Sequence, residues 1–399
     1  VYCQTEQQLL KEFLIWWQAN YPDVVTGWNT DFFDVPYLIR RISRELGESF
    51  AKKMSPWGLI NERNTFIKGN EELHYDISGV SQLDYLELYK KYTYTKQESY
   101  RLDYIAQEEL GDRKKENPGT DFRDFYTNYW DDFVVYNIHD VELVDQLEDK
   151  MRLLELHITM AYNAKINFED VYSQVRMWDT IIYNHLRKKN IVIPMKVSNG
   201  GKSEQFEGAY VKDPIVGQHK WLASFDLNSL YPHLIMQYNI SPETLTHEKI
   251  SVTVDKLLNK EVDTTYAKRR DLSLTANGWC YRKDVKGFMP ELMEQMYANR
   301  SKFKKQMLKA QQEYEHDKSK KHLLKEISRL NNLQMAMKIA LNSAYGAMGN
   351  QYFRYFDIRM AEGITTSGQL SIRWMANKLN DFMNKTMRTD GVDYRSEEH

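Results

Sequence analysis

Two long helical patterns separated by a very short break constrain this chain more than any other feature. Apolar residues recur at helical spacing from Pro290 to Tyr314 and again from Lys318 to Gly346, with the break near His316-Asp317. So short a connection makes two helices of this length return antiparallel, as a helical hairpin. Between Arg300 and Arg329 the hairpin carries ten basic and four acidic residues, although the whole chain has a net charge of −2. A solvated helical face accounts for some of these lysines. Lys338, Asn342 and Tyr345 resist that account, because at i, i+4 and i+7 they point the same way. Arg300 and Lys304 do likewise on the facing helix. Such a face suits phosphates, with Tyr345-Gly346 placed to lie against a base pair.

Composition sets the outer limits. At 399 residues the chain can hold two or three domains and a sizeable core. Its 42% hydrophobic and 28% charged residues argue against extended disorder. A pI near 6.6 still permits a basic stripe on a balanced protein. With Cys3 and Cys280 alone, no disulfide framework or thiolate zinc site is expected. The early apolar run from Phe13 to Trp17 is too short to span a membrane or act as a signal sequence. A reduced, cytosolic, multidomain protein without a membrane partner is expected.

Two carboxylates sit where strands hand over to helices, the usual place for chemistry in folds that mix the two. A helix over residues 6–20 precedes a short buried strand at residues 24–29. A polar turn then leads to Asp34, and the helix resumes from Tyr37 to Leu46. Alone, Asp34 reads most simply as a cap or turn residue. A hairpin turning at Lys68-Gly69-Asn70 and a helix from Ser81 to Lys91 follow, then a charged surface loop at residues 111–122. From Phe133 to about Leu154 a helix puts Tyr136 and Asp140 on one face, and His139 reads as a surface or core histidine. Another helix is expected from Phe168 to Arg187, with a flexible boundary at residues 199–203. Trp221 to Asp226 then reads as a buried strand, followed by a helix through Tyr238. Asp226 could bind a divalent cation there, while the backbone N–H groups of Ser229 to Tyr231 face a polyphosphate. An ordinary strand–turn–helix with a capping Asp explains the same residues equally well.

Four motifs therefore stand in order: Asn29…Phe33-Asp34, Tyr136-x-x-x-Asp140, Asp226-Leu-Asn-Ser-Leu-Tyr-Pro232, and Lys338-x-x-x-Asn342-Ser-Ala-Tyr345-Gly346. Over nearly the whole chain this resembles a family B DNA polymerase, with a texture most similar to the T-even bacteriophage replicative enzymes. The resemblance implies an α+β multidomain protein. An RNase H-like 3′–5′ exonuclease domain would occupy residues 1–153 and a linking segment residues 154–197. The first part of a polymerase palm would occupy residues 198–286, α-helical hairpin fingers residues 287–350, and a second part of the palm residues 351–399.

The same resemblance implies residue roles. Asp34 and Asp140 would be metal ligands, with Tyr136 orienting the attacking water and Asn29 and Phe33 beside the terminal nucleotide. Asp226 would be the first palm carboxylate, with the Leu227 carbonyl on the nucleotide-side metal. Ser229, Leu230 and Tyr231 would bind the triphosphate, Tyr231 also excluding ribose. Arg300, Lys304, Lys338 and Asn342 would grip the triphosphate from the fingers, and Tyr345 and Gly346 would line the nascent base pair. Gly208, in the stretch Phe206-Glu207-Gly208-Ala209, would touch DNA between the two activities. The implied cofactor is Mg²⁺, two ions per active site, with Mn²⁺ as a substitute. The implied partners are primer–template DNA and dNTPs, and the setting is the cytoplasm of an infected bacterial host.

Departures from the family pattern carry expectations too. No Asp-Thr-Asp turn follows the helix that ends near Arg388, where the chain reads Val392-Asp393-Tyr394-Arg395. The first exonuclease motif of the family, an Asp-x-Glu, would precede Val1. Two dications cannot be held by one carboxylate, so the chain alone is expected neither to polymerise nor to proofread at a normal rate. It then reads as a piece of a larger polymerase, or as a split subunit active with a companion chain, with any sliding-clamp contact beyond residue 399. A stand-alone DNA exonuclease clamped by the basic hairpin is the other reading, and it leaves the Asp226 and Lys338 motifs unexplained.

Overall fold

The computed structural model describes residues 2–67, 70–93, 95–196, 208–213, 216–218, 223–392 and 394. The chain forms two compact units, residues 1–161 with 167–169 and residues 162–166 with 170–399. Lys68-Gly69, the boundary at residues 199–203, Phe206-Glu207 and Trp221-Leu222 lie outside the described residues.

In unit 1, helix α1 (Glu6–Ala19) starts where the Thr5 hydroxyl accepts the Gln8 N–H at 3.2 Å. Strand β1 (Val24–Val25) leads through a turn into α2 (Asp34–Leu46). Helix α2 buries Val35, Ile39 and Ile42, at i, i+4 and i+7, against Leu10, Leu14 and Trp17 of α1. It stops at Gly47, whose φ of 99° only glycine adopts without strain. An antiparallel hairpin follows, β2 (Ile60–Ile67) on β3 (Asn70–Ile77), in register from Ile60 opposite Ile77. Ser81-Gln82 is strand β4, paired parallel with β1. The helix expected from Ser81 therefore begins only at Tyr85, as α3 (Tyr85–Tyr92), because pairing with β1 holds Ser81-Gln82 extended and Asp84 caps the helix. Helices α4 (Leu102–Leu110) and α5 (Phe122–Asn128) pack on α6 (Trp130–Met151). Helix α6 starts three residues before Phe133, with Asp131 and Asp132 in its first turn, where carboxylates favour the helix dipole.

In unit 2, α7 (Gln174–Lys188) starts six residues later than the expected Phe168, at a Ser173 cap. After α8 (Leu230–Tyr238), strands β5 (Leu245–Lys249), β6 (Leu272–Leu274) and β7 (Trp279–Arg282) form an antiparallel sheet in the order β5-β7-β6. The long hairpin is α9 (Phe288–His316) on α10 (His322–Met348), and α11 (Ile358–Met387) follows. Residues 318–321 turn rather than begin α10, with Ser319 bonded to the Asp317 carboxylate. The strand expected to end at Asp226 is not formed by residues 223–226, which are irregular and exposed. A strand needs a neighbour to satisfy its backbone, and no described strand pairs with this segment.

Side chains from outside the hairpin hold α10 and α8 in place. Trp178 of α7 is fully buried, and its Nε1–H donates to the Ala340 carbonyl at 3.2 Å and to Ser343 Oγ at 3.1 Å. Arg354 grips Asp179 with two bonds of 2.7 and 3.0 Å, tying the chain after α10 back to α7. On α11, a Cβ at Gly368 would lie 3.1 Å from the Tyr231 ring, so this position admits α8 only as glycine without local adjustment. Trp178→Ala is expected to destabilise unit 2 by about 3–5 kcal/mol through the cavity it leaves. Trp178→Phe keeps most of the volume and is expected to cost about 1 kcal/mol for the lost hydrogen bonds. Urea unfolding of the chain measures both. A Phe variant as stable as the parent would remove the indole N–H from this account.

Candidate active sites

In unit 1 the turn after β1 borders a cavity of about 1090 Å³ whose walls include Asn29, Phe33, Asp34, Lys114, Asp140 and Asp145. Asn29 is in the left-handed region with φ 66°, unusual for a residue other than glycine. Phe33 is 65% exposed at the rim, and its ring stacks at 6.4 Å with that of Tyr37. Asp34 opens α2, and desolvation by the cavity wall pushes its carboxyl above the ordinary range. The structure thus brings Asp34 and Asp140 to one cavity, as their motifs require.

The cavity wall also takes a residue, Lys114, from the charged run at residues 111–122. Lys114 Nζ donates to Asp140 Oδ2 at 2.6 Å and to the Tyr136 hydroxyl at 3.3 Å, and lies 5.4 Å from the centre of the Tyr136 ring. Burial alone would lower the Lys114 pKa, but the hydrogen bond and charge of Asp140, with Tyr136, raise it instead. The loop is pinned to α6 by His139, whose Nε2 lies 2.9 Å from the Arg113 carbonyl. His139, which the sequence allows on the surface or in the core, is buried, and it delivers Lys114 to the cavity. No signal within the charged run 111–122 distinguishes Lys114 from its neighbours.

Among the described residues no three His, Cys, Asp or Glu side chains are grouped to hold a metal ion. The donor set nonetheless suits a hard cation, because Asp140 Oδ1 is buried without a hydrogen-bond partner and Asp140 lines the cavity that Asp34 shares.

Asp31 is the most perturbed acid on this turn. Burial, and next the charge of Asp84, push its carboxyl from 3.8 up to about 7, and its Oδ1 is buried without a partner.

In unit 2, Ser229 caps α8 with φ 52° and makes no side-chain capping bond. Its hydroxyl instead accepts from Arg300 Nη1 of α9 at 3.3 Å, while Arg300 Nε is buried and unpartnered. Leu230 and Tyr231 form the first turn of α8, where N–H groups lack partners within the helix. The Tyr231 ring meets that of Tyr345 edge-on, with centroids 4.8 Å apart. Helices α8, α9 and α10 therefore bring Ser229, Tyr231, Arg300 and Tyr345 together. Lys338 is half-buried and Asn342 exposed on the α10 face that carries Tyr345, and Lys304 is exposed on α9. Four other cations of the hairpin, Lys309, Lys318, Lys320 and Arg329, pair with acids on the same hairpin, as a solvated face would have it. Arg300, Lys304 and Lys338 have no carboxylate partner among the described residues, and neither have Lys302, Lys305, Lys321 and Lys325 of the same hairpin.

Asp226 and Leu227 are exposed and outside regular structure, and Gly346 lies beside Gln174 of α7. The Gly208 carbonyl accepts from Gln369 of α11 at 2.8 Å, so Gly208 is tied to the body of unit 2.

These two regions, one where Asp34 and Asp140 line a single cavity and one where Ser229, Tyr231, Arg300 and Tyr345 meet, lie on a chain whose family is shown by comparison. The chain belongs to DNA polymerase family B: the model of that family matches residues 166–398, and that of the DNA polymerase family B exonuclease domain matches residues 1–105. Asn29, Phe33 and Asp34 fall in the exonuclease match, and Tyr136 and Asp140 lie between the two matched stretches. The chain is 35% identical to the DNA-directed DNA polymerase of Escherichia phage RB69, over 97% of this chain and 46% of that protein. It is 34% identical to that of Enterobacteria phage T4, over 98% of this chain and 47% of the relative. The DNA polymerase delta catalytic subunit of Candida albicans is 26% identical, over 95% of the chain and 36% of the relative. The chain spans about half the length of the phage relatives, and the likeness to T-even enzymes holds across both units. No described helix is long and apolar enough to cross a membrane.

The Asp31 shift makes a pH prediction. The folded form binds a proton on Asp31 that the unfolded chain has released between pH 3.8 and about 7, so this group's contribution to stability falls as pH rises through that window. Asp31→Asn is expected to be more stable than the parent by on the order of 2 kcal/mol at pH 8 and to match it near pH 4. Urea unfolding at the two pH values tests this; an equal difference at both would assign the effect to packing.

Proposed function

We propose that this chain forms the exonuclease domain, the first part of the palm, the fingers and part of the second palm segment of a phage-type replicative DNA polymerase. On this reading residues 1–153 are an RNase H-like 3′–5′ exonuclease, residues 154–197 a linking segment, residues 198–286 and 351–399 palm, and residues 287–350 fingers. The observation that carries it is the convergence of Ser229, Tyr231, Arg300 and Tyr345. It joins the Asp226 motif to the Lys338 motif in space, and no stand-alone nuclease needs that junction.

In the polymerase site the orphan N–H groups opening α8 and the unpaired Arg300, Lys304 and Lys338 bind the triphosphate of an incoming dNTP. Asn342 accompanies them. Tyr231 lies under the sugar, its ring held by Tyr345 and Gly368, and excludes a 2′-hydroxyl by contact. Tyr345 and Gly346 lie against the nascent base pair. Asp226 and the Leu227 carbonyl would hold Mg²⁺, and a pair of ions would need a second carboxylate beside them.

In the exonuclease site Asp34 and Asp140 would hold the cation, with Tyr136 orienting the attacking water. Divalent ions, when bound, activate the attacking oxygen and offset charge on the phosphoryl group. Lys114 fixes Asp140 and Tyr136 in place. Phe33 and Tyr37, bordered by Arg40 and Arg44, offer the alternation of stacking surface and cation that single strands favour. Primer–template DNA and dNTPs are the proposed substrates, Gly208 lies on the DNA path between the two activities, and the infected bacterial cytoplasm is the proposed setting.

Asp226→Ala, in a polymerase containing this chain, is expected to reduce primer extension by about a thousandfold or more while leaving 3′–5′ hydrolysis intact, and Asp34→Ala to do the reverse. Gel assays of extension and of single-strand trimming check both; retention of both activities by both variants would sink the assignment. Tyr231→Ala is expected to raise ribonucleotide incorporation relative to dNTP by about tenfold or more, the scale at which loss of a tight steric contact shows. Unchanged sugar discrimination in single-nucleotide kinetics would count against the role of Tyr231.

A further inference from the structure

We propose that Asp84 is a positioning residue for the exonuclease site, holding the turn that carries Asn29, Phe33 and Asp34; this rests on the exonuclease reading of unit 1. Asp84 is fully buried, and its carboxylate accepts three backbone N–H groups. Oδ1 takes Leu86 at 2.9 Å and Asn29 at 3.0 Å, and Oδ2 takes Asp31 at 3.2 Å. The Leu86 bond is the N-cap of α3, and a serine could make it. The other two reach across 55 and 53 residues of sequence to the turn.

Their placement explains why a carboxylate is used. The parallel pairing of β1 with β4 continues past both strands, as Leu83 N–H donates to Val25 O at 2.9 Å and Tyr85 N–H to Gly27 O at 2.8 Å. Thr26 Oγ1 donates to Leu83 O at 2.7 Å. At Asn29 the chain enters the left-handed region, so the backbone of α3 can no longer follow it. Asp84 takes over there with two oxygens. Beyond it, Phe33 N–H donates to Asn29 O at 3.1 Å and Val35 N–H to Thr30 O at 3.0 Å, so the first turn of α2, with Asp34, is built on the segment Asp84 holds.

Stability alone does not account for this choice. Asp84 has no cation partner among the described residues, and burial raises its pKa against the opposing effect of the three N–H bonds. Its charge also disfavours ionisation of Asp31 in the same corner. A fully buried carboxylate without a counter-charge, beside the half-buried acid Asp31, costs the fold, whereas a neutral cap would not.

The test is a graded series in a polymerase containing this chain, trimming a single-stranded oligonucleotide with Mg²⁺. Asp84→Asn keeps the cap and the Asn29 bond but sets a donor against the Asp31 N–H. Asp84→Ser keeps the cap and loses both turn bonds. The kcat for 3′-nucleotide removal is expected to fall about tenfold in Asp84→Asn and about a hundredfold in Asp84→Ser, with KM changed less than about threefold and primer extension unaffected, the scale that a displacement of about 1 Å in a catalytic group produces. Asp34→Ala is run beside them. If Asp34→Ala abolishes trimming while both Asp84 variants trim at the parent rate, Asp84 is a helix cap only and the proposal is overturned. If Asp34→Ala itself trims normally, the exonuclease reading fails and the proposal with it. Should Asp84→Ser not fold, Asp84→Asn decides alone, a parental kcat in that variant overturning the proposal.

Discussion

A turn that leaves regular structure exposes backbone N–H groups, and the organisation of unit 1 follows from how those between Gly27 and Asp34 are satisfied. The parallel pairing of Val24-Val25 with Ser81-Gln82 is too short to be stable alone. It survives because bonds from Leu83 and Tyr85 extend it and the Asp84 carboxylate closes it. Helix α2 then starts from a fixed point, and its apolar face meets α1 in the core around Ile39, Ile42, Leu14 and Trp17. Local geometry at the cavity and the packing of the unit therefore share one origin, and a change at the turn reaches both.

Unit 2 meets a related problem with long helices. A helix fixes the spacing of its own side chains, so Lys338, Asn342 and Tyr345 are aligned before any tertiary contact forms. What a helix cannot fix is its rotation and depth against its neighbours. Trp178, bonded to Ala340 and Ser343 within one turn of Asn342, sets both for α10. The Arg300–Ser229 bond and the Tyr231–Tyr345 contact then tie α8 to the hairpin. Cations that pair along the hairpin belong to its solubility, while Arg300 instead reaches Ser229 at the start of α8.

Much of this was legible in the sequence, and the gaps have physical causes. Periodicity over long stretches locates α1, α6, α9 and α10, and the end of α11, to within a few residues, because many positions contribute to each signal. The family resemblance pairs Asp34 with Asp140 and the Tyr231 motif with the Tyr345 motif, and the structure has the first two lining one cavity and the rings of the other two in contact. Short elements depend on partners far along the chain, which periodicity does not report. Ser81-Gln82 looks helical until β1 pairs with it, and residues 223–226 look like a buried strand but find no described partner. Lys114 and Asp84 were missed for a different reason. Each has a local appearance, one a charged loop residue and the other a helix cap, that satisfies the sequence without invoking the site.

Lys114 shows how much such a residue can contribute without belonging to a motif. Tyr136 and Asp140 share a helix face, but each side chain has its own rotamers, and proximity alone does not fix the phenol against the carboxylate. One ammonium bonded to both removes that freedom, at the cost of ordering a single lysine. The lysine is itself brought in by His139, one residue before Asp140, which holds the Arg113 carbonyl from another face of the helix. Adjacent residues of α6 thus do different jobs: one anchors the loop, and the other receives what the loop delivers. A helix places consecutive side chains about 100° apart, so the anchor and the acceptor cannot compete for the same partner, and the loop is held at two points instead of one.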